Sequence, residues 1–214
     1  HLLTLVTELL KRGHEAAVVV GGAGWLTEQL EERGAHCFVL PTLRREISPC
    51  RDFAALWHLR RVIKEYQPNL VHCHSSKAGL LGRIAAWSLG VPAVFTVHGW
   101  AFTEGVASMK RCIYECIEWI GGFFSQRIIC VSEYDRKLGA AILRKHHEKM
   151  LTVYNGVSEG APRYAGIIHD PLHLVMVARF SQPKAQGDVL QALFRLNECE
   201  IKVQVDFVGD GDEL

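Results

Sequence analysis

Two kinds of apolar pattern alternate along the chain: residues repeating at the three-to-four spacing of a helix, and short unbroken runs bounded by turn residues. Leu2 to Arg12 has the helical period, and Gly13 follows where a helix stop is expected. Ala16 to Val20 is a continuous apolar run ending in Gly21-Gly22, and Trp25 to Arg33 is helical up to Gly34. Cys37 to Leu40 reads as a strand stopped by Pro41, and Asp52 to Tyr66 as a helix ending ahead of Pro68. The alternation continues with strand Leu70 to Cys73, helix Lys77 to Leu89, strand Ala93 to Val97 and helix Met109 to Phe124. Strand Arg127 to Val131, helix Tyr134 to His146 and strand Leu151 to Tyr154 complete it.

Strands that are apolar throughout need helices on both faces. Repeated strand–helix units of this kind predict an α/β fold with an open, mostly parallel, doubly wound sheet, Rossmann-like in plan. The pattern breaks between Asn155 and Pro171, then restarts with strand Leu172 to Ala178, helix Asp188 to Leu196 and strand Ile201 to Val208. This divides the chain into a first domain at 1–157, a linker at 158–171 and a second domain opening at 172–214. Two strands and one helix bury no core of their own. The first residue, His1, already lies in a helix. The expectation is therefore one nearly complete domain without its first strand, plus the beginning of another.

Composition narrows the function. The 24 basic and 23 acidic side chains leave a net charge of +1, which removes a basic nucleic-acid-coating protein as the default. No apolar run approaches the roughly 18 residues of a membrane span, and the start has no signal-peptide pattern. The seven cysteines are odd in number and lack CxxC spacing, so reduced thiols and a cytoplasmic location are expected. Cys73 and Cys130 fall in strand-like runs and should be buried. Cys112 and Cys116, four apart on one helical face, are expected to be packing residues rather than metal ligands.

In an open parallel sheet, ligands bind beyond the carboxyl ends of the strands, so the residues after each strand carry the candidate chemistry. Val20-Gly21-Gly22-Ala23-Gly24 resembles part of a dinucleotide fingerprint, but Thr27 holds the third glycine position, and a tight turn is expected. Ser75 or Ser76 is placed to cap the helix beginning near Lys77. A lysine in that first turn opposes the helix dipole by about 0.3–1 kcal/mol unless an anion sits there, so a bound anion and a solvated lysine both stand as readings. His72 and His74 point to the same side of their strand, as metal ligands or as hydrogen-bonding strand-end residues.

After the next strand come His98 and Gly99. His98 is a donor to sugar or phosphate, a general base or a structural residue, and the glycine admits close approach of backbone to a ligand. No nucleophile elbow accompanies them, which argues against a triad hydrolase. Arg179 and Lys184, five apart after the Leu172 strand, suit a diphosphate or are two solvated loop charges. The helix from Lys110 to Phe124 puts Ile113, Ile117, Ile120 and Phe124 on one side. That face suits a membrane surface or a core, and Glu115 and Glu118 favour the core.

Six short motifs then occur in order: His74-Ser75-Ser76-Lys77-Ala78-Gly79, Thr96-Val97-His98-Gly99-Trp100, Val131-Ser132-Glu133, Tyr154-Asn155-Gly156-Val157, Ala178-Arg179-Phe180 with Lys184, and Val208-Gly209-Asp210-Gly211. Together they resemble glycosyltransferase family 4, especially its bacterial polysaccharide-assembly members. The resemblance implies a GT-B fold of two Rossmann-like domains across a cleft. It also implies retaining transfer from a nucleoside-diphosphate sugar to a glycan or lipid-linked acceptor, with no cofactor, no required metal and no nucleic-acid partner. It makes His98 a contact to the donor sugar, and Arg179 and Lys184 stabilisers of the departing diphosphate. Ser75, Ser76, Lys77, Gly99, Asn155 and Gly156 become donor- or acceptor-binding positions; a cytoplasmic location rests on the reduced cysteines, and peripheral membrane contact on the Lys110 helix alone. The chain departs from the family at Ala185, where glycine is common, and at Ser158, where aspartate is usual. The family's first strand and its paired glutamates fall outside these 214 residues, so an inactive fragment is expected. A UDP-sugar epimerase and a non-catalytic acceptor-binding module are the alternatives.

Overall fold

The computed structural model describes residues 1–44, 46–102, 106, 108–156, 171–181 and 184–211. In chain order the elements are α1 (Leu2–Lys11), β1 (Ala17–Val20), α2 (Trp25–Glu31), β2 (His36–Val39), α3 (Pro49–Tyr66) and β3 (Val71–His74). They continue with α4 (Ser76–Trp87), β4 (Ala93–Val97), α5 (Ser108–Phe123), β5 (Arg127–Cys130), α6 (Glu133–Ile142), a 3₁₀ turn (Arg144–Lys149) and β6 (Met150–Thr152). Beyond them lie β7 (Leu172–Val177), α7 (Gln186–Glu198) and β8 (Val203–Val208). The chain divides into two compact units, His1–Gly156 and Val157–Leu214. Of the expected linker, only Pro171 is among the described residues, and Ser158 lies outside them.

Every strand pair is parallel, as continuous apolar runs demand. Among the described residues of the first unit the strands form two ladders: β1 with β2, and β3-β4-β5-β6. Side chains of both ladders meet in one cluster. Leu59 and Ile63 of α3 pack with Ala85, Ala86 and Ala93, and Val19 of β1 and Val71 of β3 both lie against that cluster. A second cluster beneath β4 gathers Cys73, Phe95, Val97, Trp100, Phe102 and Cys130. Trp100 is therefore a core residue, its indole N–H donating to the Asp135 carbonyl at 2.7 Å.

Local chemistry explains where several boundaries moved. Helix α3 starts three residues early, because Pro49 occupies its first turn and the Asp52 carboxylate accepts from the Ser48 amide at 3.1 Å. Strand β3 runs on through His74, which pairs with Thr96. The helix expected up to His146 stops at Ile142 and tightens into the 3₁₀ turn.

Helix α5 is turned differently from the expectation. Its buried edge is Glu118, Gly121 and Gly122, while Met109, Ile113, Trp119, Ile120 and Phe123 are exposed. The cause is Arg83 of α4, fully buried beneath it, whose charge draws Glu118 inward. Cys112 and Cys116 consequently lie exposed, not in the core, whereas Cys73 and Cys130 are buried and burial pushes their thiols up to about 11 and about 12. In the second unit, β7 leaves Leu172, Leu174, Val175 and Val177 exposed, so among the described residues α7 does not cover both faces of that ladder.

Candidate functional site

The carboxyl ends of β3 and β4 lie side by side, and each delivers histidines to the same edge. His74 is the last residue of β3, and His98 follows β4 directly. Nδ1 of His74 and Nε2 of His98 are 3.1 Å apart, a hydrogen bond between two imidazoles. His72, two residues upstream on the same face, lies tilted with its ring 4.4 Å from that of His74 and bonds the Thr96 hydroxyl through Nε2 at 2.7 Å. The side chain of His1, at the start of α1, closes the group with its ring 4.8 Å from that of His98. Gly99 takes φ of +125°, a conformation side chains rarely adopt, and so turns the chain sharply beside His98.

Burial disfavours the charged form of these rings. It lowers His72, His74 and His98 below the ordinary histidine value, and neighbouring imidazole charge adds to the effect at His74, which falls to about 4. An unfolded histidine titrates near about 6.5. Between those values the unfolded chain binds a proton that folded His74 refuses, so stability is fully present above pH ~6.5 and is lost as pH falls toward 4. In chelator-containing buffer, the melting temperature should fall between about pH 7 and about pH 4.5, and the fall should be shallower in His74→Gln. Equal slopes in the two proteins would assign the acid limb to other groups.

The start of α4 is organised differently from either reading of the sequence. Ser75 occupies the N-cap position with φ of +63°, yet its hydroxyl makes no capping bond, and Ser76 is already the first helical residue. A non-glycine residue held there stores backbone strain beside the histidines. Lys77 is neither open for an anion nor solvated. It pairs with Asp52 of α3 at 2.5 Å and donates to the Glu46 carbonyl, so the helix-start cation is already neutralised. In the glycine run after β1, Gly21 is required by packing, since a side chain there would strike the Leu43 carbonyl, whereas Gly22 and Gly24 face open space. Asn155 and Gly156 are exposed beyond β6, at the end of the first unit.

The second unit carries the two loop cations. Arg179 lies two residues beyond β7, exposed, and its carbonyl accepts from the Gln186 side chain at 2.8 Å. Lys184 is exposed on the same loop, its amide donating to the Ser181 carbonyl at 2.8 Å. Ala185 next to it caps α7 with φ of +56°, which accounts physically for glycine being common there. The loop after β8 holds the cationic loop in place. The Phe180 amide donates to the Asp210 carbonyl at 3.0 Å, and side chains at Gly209 or Gly211 would collide with the Ala178 and Phe180 carbonyls.

The sequence points to His98, Arg179 and Lys184; His98 and Arg179 stand at strand carboxyl ends, and Lys184 lies at the far end of the loop after β7, beside the start of α7. It did not point to His1, whose neighbours are more than seventy positions away and leave no mark on local pattern. It also missed Gly209 and Gly211 as supports, although the Gly-Asp-Gly spelling was visible.

A family model described as Glycosyltransferase Family 4 matches residues 1–160. An Escherichia coli UDP-Gal:alpha-D-GlcNAc-diphosphoundecaprenol alpha-1,3-galactosyltransferase is 36% identical over 136 residues, 63% of this chain and 35% of its own. The E. coli O-antigen biosynthesis glycosyltransferase WbnH is 24% identical over 225 residues, covering 96% of this chain and 63% of its own. This chain thus spans less than two thirds of either relative. Among solved structures, a glycosyltransferase from Rickettsia africae superposes with a TM-score of 0.63 at 12% identity, covering 99% of this chain and 64% of that one.

Proposed function

The chain belongs to Glycosyltransferase Family 4, and on that premise we propose that it is the first domain and the opening of the second in a retaining transferase of polysaccharide assembly. The donor is a nucleoside-diphosphate sugar and the acceptor a glycan on a lipid diphosphate. The observation that carries the reading is the 36% identity over 136 residues to a galactosyltransferase whose name gives a diphosphoundecaprenol-linked sugar as acceptor, beside the family match over residues 1–160.

The geometry supports the roles. His98, exposed at the ligand-binding edge of a parallel sheet with burial favouring its neutral form, donates a hydrogen bond to a sugar hydroxyl or accepts one from it. When the anomeric carbon–oxygen bond breaks, negative charge grows on the departing diphosphate, and the acceptor oxygen bonds to the same carbon and releases its proton. Arg179 meets that charge as a bidentate fork and Lys184 as a point charge. Two protein cations on a loop pinned by Gly209 and Gly211 give this stabilisation without a metal ion being required. Ser75, Ser76, Gly99, Asn155 and Gly156 supply polar groups and open backbone at the strand ends. Lys77 acts through its pair with Asp52 by fixing the start of α4.

No helix among the described residues is long and apolar enough to cross a membrane. The exposed row Met109, Ile113, Ile120 and Phe123, with Lys110 and Arg111 at its start, supports peripheral contact at the cytoplasmic face, where lipid-linked acceptors present their sugars.

The test is a radiolabelled-sugar assay on the whole protein that carries this segment, with polyprenyl-diphosphate-linked sugar as acceptor. Transfer is expected, with Arg179→Ala and Lys184→Ala each lowering kcat/KM about tenfold or more, and these 214 residues alone giving little or none. Epimerised donor in the absence of acceptor would replace the reading with sugar epimerisation. Acceptor binding without nucleotide binding would replace it with a binding module.

A further inference from the structure

We infer that His1, His74 and His98 form a binding site for a divalent transition metal, of the zinc or nickel class, at the carboxyl edge of β3 and β4. One ring nitrogen from each lies within 4.8 Å of the other two. Two ligands held 2.0–2.1 Å from a tetrahedral zinc stand about 3.3 Å apart. His74 Nδ1 and His98 Nε2, at 3.1 Å, are therefore already at the spacing a shared ion imposes. His1 is exposed at the start of α1 and closes the remaining gap by rotating its side chain.

The His74 ring is engaged on one side only: Nδ1 faces His98, while its buried Nε2 meets no hydrogen-bond partner among the described residues. The ion takes the Nδ1 side, so no bond to Nε2 has to be broken to admit it. His72 is excluded from the set because Thr96 holds its Nε2, and it serves instead as a wall against the His74 ring.

The donor set names the class of ion. Three imidazoles and no carboxylate suit zinc, nickel or copper, whereas magnesium and calcium want oxygen ligands. With His1 and His98 exposed, a fourth position faces water. A metal bound there occupies the face of His98 assigned above to the donor sugar, so metal and donor should exclude each other. That consequence rests on the proposed function, while the binding itself does not.

The experiment is metal titration of chelator-stripped protein without substrate, using zinc against a chromophoric indicator and cobalt as a spectroscopic stand-in. One equivalent should bind, and cobalt should develop the strong visible bands of a low-coordinate site. His1→Gln, His74→Gln and His98→Gln should each weaken binding about tenfold or more. His147→Gln, an exposed histidine bonded to its own Arg144 carbonyl, should not. Since a variant at His74 can disturb folding, a second arm uses the unaltered protein. Zinc should protect His1 and His98, but not His147, from acylation by diethyl pyrocarbonate as mapped by mass spectrometry. Unchanged affinity in the three variants, or acylation indifferent to zinc, would overturn the site.

Discussion

Glu118→Ala should destabilise the first unit by about 3–5 kcal/mol, the cost of leaving a buried charge without its counter-charge. Arg83 and Glu118 are 0% and 1% exposed, joined at 3.0 Å between Nη2 and Oε2. The guanidinium is satisfied elsewhere as well. Its Nε donates to the Gly79 carbonyl at 2.9 Å, Nη1 to the Ser125 hydroxyl at 3.3 Å, and its carbon sits 4.1 Å over the Phe95 ring. None of those partners carries a negative charge, so alanine at 118 strands the cation between α4 and α5. Arg83→Met should cost a similar amount by stranding the carboxylate, whose Oε1 already lacks a partner among the described residues.

The double variant Arg83→Leu with Glu118→Leu decides what the pair is for. Buried pairs are often replaced by apolar residues at little or no loss, because desolvation consumes most of their attraction. The double variant should recover most of the single-variant loss in a denaturant melt. A loss equal to the sum of the two singles would show instead that the geometry around Arg83 supports the helix contact independently of charge. The pair also sets the rotation of α5. If the double variant lets the helix turn, Cys112 and Cys116 should lose their ready reaction with a bulky thiol reagent.

Most of the architecture was legible because parallel strands with both faces covered are written as unbroken apolar runs. Ala93 to Val97 was read to the residue, and the strand-end rule led directly to His98 and Arg179. Orientation was not legible where a charge is buried. Ile113 and Ile120 look like core positions at helical spacing. Only the presence of Arg83, 35 positions before Glu118, turns that stripe outward. Lys77 failed for a related reason: its partner Asp52 belongs to another helix, and no local spacing reports that pairing. Whatever depends on which distant element lies opposite, including the meeting of His1 with His98, is a property of the folded chain alone.

The same dependence governs the tandem glycines of α5. Glycine costs a helix roughly 1 kcal/mol relative to alanine, so Gly121-Gly122 should weaken α5 on local grounds. The structure shows what occupies the space. A side chain at Gly121 would stand 2.6 Å from the Arg83 guanidinium carbon, and one at Gly122 would stand 2.6 Å and 2.7 Å from Cγ and Nε2 of the His146 ring. His146 has nowhere to go: it is 2% exposed, donates to the Trp119 carbonyl at 2.9 Å and meets the Phe123 ring edge-on at 4.7 Å. Gly122→Ala should therefore destabilise by about 1–3 kcal/mol, the ordinary cost of overpacking, despite its better helix propensity. The background reverses the sign. In His146→Ala the ring is gone, and the same Gly122→Ala change should be neutral or stabilising by up to about 1 kcal/mol, as propensity alone dictates. A double-mutant cycle by urea unfolding measures this directly. Equal costs in both backgrounds would mean that the helix backbone, not the imidazole against it, requires the glycine.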